Sequence, residues 1–302
     1  MNVLITGGNG FLGSNIVKKL IKENHNVLVL SKNNNNIQCV LDKCQFISSY
    51  SDELEININK IKLFSPDLVL LFGWNGGNNH KDVNNTNQYH KNIPYHIKFL
   101  ELISQFDKKP KIIGVGSFAE YGDHNIPIKE NFIESPKNLY GLCKLMFKEY
   151  SEMFCKQNGI DWAWIRPCYI YGPNDVKTRL IPTVIQRCLK NENIELDECN
   201  TIIDYLYIED FINYVYEVIK SDKNDVYNIC SGKQYHLKDI ISLIHALTNS
   251  SSKITFNNLL NRSKNYNYIC GDNTKIKKIS KNIELIDIKR GIKETIQFYH
   301  EK

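Results

Sequence analysis

The 302-residue chain carries a formal net charge of only +5, and its lysines are spread along the sequence, which excludes the basic blocks of a nucleic-acid or membrane-surface binder. No apolar run reaches transmembrane length and the sequence opens directly on a strand, so neither a membrane span nor a signal peptide is expected. Nine Cys, an odd number without paired metal-ligand spacing, read as reduced packing thiols of a cytoplasmic protein with no metal site.

Taken in chain order, apolar runs at 2–6, 26–31, 44–48, 67–72, 110–116 and 161–166 predict strands. Helical spacing falls between them, at 11–24, 51–64, 88–106, 137–158 and 175–190. Regular alternation of this kind predicts an α/β fold, a Rossmann-type doubly wound parallel sheet with helices on both faces. After Tyr171-Gly-Pro173 the rhythm changes, and helices near 209–220, 237–247 and 288–299 alternate with short strands. The expected division is a dinucleotide-binding domain over 1–172, with a returning segment near 200–230, and a smaller C-terminal α/β lobe over 173–199 and 231–302.

The first strand runs into Gly7-Gly-Asn-Gly10-Phe-Leu-Gly13 and then into a helical pattern, the context a dinucleotide fingerprint requires. Gly7 and Gly10 permit a tight turn and close backbone approach to a pyrophosphate, Gly13 permits close helix–strand packing, and the helix N-terminus offers N–H groups to the anion. The second strand ends in Ser31 and Lys32, with no carboxylate until Asp42. A carboxylate there would bind a ribose 2′-hydroxyl and repel a 2′-phosphate, so its absence favours NADP(H), with NAD(H) still possible.

Two further features carry chemistry. The strand at 110–116 delivers Ser117 to its carboxyl end, where open α/β sheets bind ligands. Tyr140 and Lys144 stand four residues apart on one helix face, close enough for the ammonium to favour the phenolate. The Tyr–Lys spacing is weak evidence in a chain with 17 Tyr, but beside the glycine turn and Ser117 it reads as a proton-transfer group of a hydride-transfer site.

With these segments in view, the chain resembles the extended short-chain dehydrogenase/reductases, the nucleotide-sugar epimerase/dehydratase/reductase family, over essentially its whole length. The matching segments are Thr6–Gly13, Ser117-Phe-Ala-Glu-Tyr-Gly122, Tyr140-Gly-Leu-Cys-Lys144, Arg166-Pro-Cys-Tyr-Ile-Tyr-Gly-Pro173 and Asp204–Asp210, with Asn92 as a structural asparagine. The resemblance implies that Tyr140 exchanges a proton with the sugar oxygen, that Ser117 bonds the same oxygen, and that Lys144 holds the nicotinamide ribose. It implies cofactor contacts at Phe11, Leu12 and Pro167 as well, and a C-terminal lobe that binds the nucleotide sugar. Arg262 is the implied diphosphate ligand, with Arg179 and Arg187 as second candidates, and Asn174 is a further candidate substrate contact. Trp74, in a segment that replaces the family's usual loop, either lines the sugar pocket or is an ordinary core residue. Homodimerisation through helices 88–106 and 137–158 is also implied.

Departures from the family pattern narrow the reaction. Dehydratases of the family place an acidic pair after a threonine at the position of Ser117, whereas Phe118 and Ala119 follow here. Epimerase-reductases of the GDP-fucose synthase type have a Cys and a His where this chain has Ala119 and Asn174. The expectation is therefore NADPH-dependent reduction of a nucleotide-linked 4-keto-6-deoxy sugar, for a surface polysaccharide precursor. The alternatives are an NAD-dependent nucleotide-sugar 4-epimerase and, outside enzymes, a cofactor-binding scaffold or sensor.

Overall fold

Strand β1 (Asn2–Thr6) opens the chain, and the enclosure of Val3, Leu4 and Ile5 contributes about 2 kcal/mol for each side chain. The structure is a computed structural model that describes residues 1–48, 54–76, 83–257 and 267–301. Helix α1 (Phe11–Lys22) follows, then β2 (Asn26–Ser31), β3 (Gln45–Ser48), α2 (Leu54–Phe64) and β4 (Leu68–Leu71). Next come α3 (Ile93–Ser104), β5 (Lys111–Val115), α4 (Leu139–Gln157), β6 (Trp162–Pro167), β7 (Tyr169–Tyr171), α5 (Leu180–Leu189), β8 (Ile194–Leu196), β9 (Ile202–Ile203) and β10 (Tyr205–Tyr207). The chain continues with α6 (Ile208–Lys220), β11 (Val226–Ile229), β12 (Tyr235–His236), α7 (Leu237–Thr248), β13 (Ile254–Phe256), β14 (Tyr268–Ile269), α8 (Thr274–Ile279) and α9 (Ile288–His300).

Seven strands form the central sheet in the order β11-β6-β5-β4-β1-β2-β3. β1 pairs in parallel with both β2 and β4, so the strand order reverses between β1 and β4. That reversal opens a crevice at the carboxyl ends of these two strands, where this fold places its ligands. The expected doubly wound α/β architecture is therefore present. The seventh strand, β11, escapes a pattern search because its apolar run is short and broken by Asn228, a fully buried side chain that accepts from Tyr121 Oη at 2.8 Å.

Residues 1–120, 138–166 and 215–227 make one compact unit. Its core gathers Leu4, Leu28, Val69, Phe99, Ile112, Phe147 and Trp164 between the sheet and the flanking helices. The helix expected over 88–106 is two pieces: a wide π-type turn at Gln88–Asn92 runs into α3. Pro94 accounts for the change, since it has no N–H to give the preceding turn. The Asn-rich tip is also more ordered than a loop, with 3-10 turns over Asn35–Lys43.

The second unit comprises residues 121–137, 167–214 and 228–302. It holds the parallel pairs β7–β10 and β8–β13 and a three-stranded sheet β12-β9-β14. Asp204, fully buried, ties this unit together by accepting from Ser231 N and Oγ, Gly232 N and Gly271 N at 2.6–3.3 Å. The helix expected over 175–190 starts only at Leu180, because Asn174 takes a left-handed φ of +66° and turns the chain first.

Candidate active site

The glycine turn lies at the switch point of the sheet. Gly7 has a φ of +65°, and an added Cβ would stand 2.6 Å from Gly73 N and Cα, so handedness and space both demand glycine. At Gly13 a Cβ would meet the Gly7 carbonyl oxygen at 2.4 Å, which brings the first turn of α1 down onto the loop. Gly10 caps α1 without a side-chain bond, and no acidic residue occupies the first turn. The first-turn N–H groups and the positive end of the helix dipole are thus left for an anion, and the turn fits a dinucleotide pyrophosphate. Phe11 is buried and Leu12 half-buried behind it.

At the end of β2, Lys32 is exposed and donates from Nζ to Asn75 Oδ1 at 3.0 Å, while Ser31 is half-buried. The Asn33–Asn36 tip is fastened to the glycine turn. Asn36 donates to the Asn9 side chain and carbonyl at 2.7 Å each, and Asn9 donates to Asn33 Oδ1.

Ser117 directly follows β5, and α4, which carries Tyr140 and Lys144, brings Lys144 to the same strand end. The Asn138 side chain caps α4 by accepting from Gly141 N at 2.8 Å, and this sets the first turn that carries Tyr140. Lys144 lies one turn further on, only 4 % exposed, and donates to Val115 O at 2.7 Å, two residues before Ser117. Its Nζ stands 5.9 Å from the Tyr140 ring centre and 3.8 Å from the Trp74 ring centre. Burial lowers the Lys144 ammonium to about 7 against the pull of Glu120, so it titrates near neutrality.

Sequence reasoning missed the role of Glu120. This carboxylate is fully enclosed and accepts from Ser117 N at 2.8 Å, Trp164 Nε1 at 3.3 Å and Arg166 Nε at 2.6 Å. Burial pushes its carboxyl above the ordinary range, and the Arg166 guanidinium pulls it back. The signal was Arg166 itself, a charge in the otherwise apolar strand β6 that needs an enclosed partner.

A second missed feature is a ladder of polar side chains at Gln88, Asn92 and His96, all at most 2 % exposed. The Gln88 amide accepts from Trp74 Nε1 at 2.8 Å and donates to Gly76 O at 3.2 Å. Asn92 accepts from Asn75 N at 2.8 Å and donates to Asn75 O at 3.1 Å. His96 places Nε2 at 2.9 Å from Gly73 O and Nδ1 at 2.7 Å from Asn92 O. A neutral imidazole has one N–H for these two carbonyls, but burial prevails and holds the ring at about 4, uncharged at neutral pH. Polar residues every fourth position along an apolar helix face were the readable sign.

The remaining candidates belong to the second unit or fall beyond the described residues. Pro167 is buried, and Asn174 is half-buried in its left-handed turn. Arg179 pairs at 3.2 Å with Asp175, whose carboxyl burial pushes up to about 6. Arg262 lies outside the described residues.

A parallel sheet with a glycine turn at its switch point is the class of fold that binds dinucleotides. More closely, the chain belongs to the NAD dependent epimerase/dehydratase family, whose profile it matches over residues 3–230. It is 26% identical over 267 residues to a dTDP-6-deoxy-L-talose 4-dehydrogenase (NAD(+)) of Aggregatibacter actinomycetemcomitans, covering 85% of this chain and 94% of that protein. It is 25% identical to a CDP-abequose synthase of Salmonella muenchen, covering 84% and 83%. A UDP-glucose 4-epimerase of Thermotoga maritima, solved with UDP-glucose, shares its fold at a TM-score of 0.89 and 22% identity over 100% and 99% of the two chains.

Proposed function

We propose that the protein reduces the 4-keto group of a nucleotide-linked 6-deoxy sugar with NADPH. The observation that carries this reading is the enclosure of Glu120. It is the one acid in the segment after Ser117, and it is committed to Arg166, Trp164 and the Ser117 N–H. With Phe118 and Ala119 following Ser117, 4,6-elimination and C3/C5 epimerisation lack their extra acid and base there, and simple carbonyl reduction needs none. The relative named as a 4-dehydrogenase of dTDP-6-deoxy-L-talose supports chemistry at the same carbon.

In this reading Gly7, Gly10 and Gly13, with Phe11 and Leu12, hold the cofactor pyrophosphate, Ser31 and Lys32 receive the 2′-phosphate, and Pro167 is a further cofactor contact. The bound cofactor supplies the hydride for the C4 carbon. Tyr140 gives its phenolic proton to the C4 oxygen, and Ser117 donates a hydrogen bond to the same atom. Lys144, charged, stabilises the phenolate that remains. Asn174 and Arg262 are proposed contacts of the nucleotide sugar, and Arg179, already paired with Asp175, contributes less. The second unit would thus be the nucleotide-sugar lobe, and the product a glycosyl donor for surface polysaccharide.

The nine thiols, all free, fit a reducing cytoplasm. No helix among the described residues is long and apolar enough to cross a membrane. The exposed Leu142, Met146 and Met153 fall on one face of α4 and support a homodimer built on that helix.

The test is to supply purified protein with NADPH and a panel of dTDP-, CDP-, GDP- and UDP-4-keto-6-deoxy sugars and follow the reduced-nicotinamide absorbance. Stoichiometric oxidation with one of them is expected. A protein that instead retains its cofactor through purification and interconverts UDP-hexoses without net oxidation is a 4-epimerase, the activity named for the Thermotoga protein of the same fold.

A further inference from the structure

We propose that Trp74 is a positioning residue that holds the Lys144 ammonium in its charged form beside Tyr140. What Lys144 does for catalysis rests on the function proposed above; the Trp74–Lys144 contact does not.

The indole ring fills the angle between the two groups. Its centre is 3.8 Å from Lys144 Nζ, and it meets the Tyr140 ring edge to face at 6.5 Å and 86°. A cation over an aromatic face is attracted by the ring quadrupole, most strongly by Trp, and more so when removed from water as Lys144 is. The ring is not free to leave. Its N–H is bonded to Gln88 Oε1, and the turn that carries it is bonded at Gly73 by His96 and by Thr6 Oγ1, at Asn75 by Asn92, and at Gly76 by Gln88. Gln88, Asn92 and His96 recur every four residues, so the π-type turn and the start of α3 together clamp the turn. Phe147 and His96 pack against the indole, with ring centres at 6.5 and 5.0 Å.

This arrangement opposes the effect of burial on Lys144. The other groups that face the ammonium are Glu120 after β5, which favours the charge and is itself shared with Arg166 of β6, Tyr140 on the same helix, and His96 on α3, whose protonation would oppose it. Removing the indole therefore withdraws support from the charged form, and the lysine loses its proton at a lower pH. A residue that only lined a sugar pocket would change KM for the sugar and leave this titration where it was.

The test uses the full-length protein without substrate, so that it stands apart from the reductase assay. Lysine side chains carrying ¹⁵N at Nζ are titrated by NMR, with Lys144 assigned from its loss in Lys144→Met. In Trp74→Leu the Lys144 titration is expected about one pH unit below wild type, and in Trp74→Phe most of that shift is restored. Should Trp74→Leu not fold, Gln88→Met keeps the ring and removes the acceptor of its N–H, and a downward shift in the same direction is expected. In whichever sugar assay is active, the alkaline limb of the kcat profile moves down with the lysine. A Lys144 titration unchanged in Trp74→Phe, Trp74→Leu and Gln88→Met overturns the proposal. Absence of turnover with every 4-keto sugar overturns the reductase reading and leaves the NMR result intact.

Discussion

Tyr140 gains its meaning from an ammonium that burial has brought to the edge of deprotonation. Because the folded-state value of Lys144 is depressed to about 7, its charge is present below that pH and lost above it. The proposed reduction should hold its rate on the acid side and decline as pH rises through about 7. Tyr140→Phe removes the proton donor and should cut kcat by about 10²–10⁴-fold, with the melting temperature unchanged, as single-turnover cofactor oxidation and calorimetry can show. His96 gives stability a pH dependence of its own. Its folded value is pushed from 6.5 to about 4, so the neutral ring costs nothing above pH 6.5 and the unfolded chain alone takes up a proton as pH falls towards 4. About 3 kcal/mol of stability should drain away across that window, and urea titrations at several pH values should show the slope vanish in His96→Gln. Of these groups, Ser117, Tyr140 and Lys144 were legible in the sequence, since a strand end and an i, i+4 spacing need no tertiary information. Glu120 and His96 were not, because only enclosure separates a committed carboxylate or a neutral imidazole from an ordinary surface residue.

The glycine turn shows how an element can be read almost completely in advance. Strand, turn and helix appear where the residue pattern puts them, yet part of the requirement for Gly7, beside its positive φ, comes from Gly73, a residue distant in sequence. Gly7→Ala should cost at least about 1 kcal/mol from the positive φ alone, and the displaced turn should also weaken cofactor binding, measurable by unfolding and by nicotinamide fluorescence. The end of β2 is the other informative element. If Lys32 receives a 2′-phosphate, Lys32→Ala should weaken NADPH roughly tenfold and leave NADH nearly unchanged. Equal losses for both cofactors would remove the NADP preference. The π-type turn before α3 was hidden, since the helical period runs through Gln88–Asn92 without interruption and only Pro94 hints at a change of register. That turn is what lets Gln88, Asn92 and His96 present one polar face to the 73–76 segment.

For the molecule as a whole, the exposed stripe on α4 predicts association. Sedimentation should give twice the chain mass, and Leu142→Glu with Met146→Glu should halve it, without loss of secondary structure. The sequence by itself determined the doubly wound sheet and its glycine turn, and it suffices to propose the Ser–Tyr–Lys set, since each is written in local periodicity or short-range spacing. The tertiary structure alone decided which polar groups are withdrawn from water. It closed Glu120 against Arg166, set Trp74 over Lys144, and added β11 to the sheet despite the buried Asn228 in its run. The physical reason is that burial and charge pairing depend on segments far apart in the chain. A residue's type and its near neighbours do not reveal the dielectric environment in which it will sit.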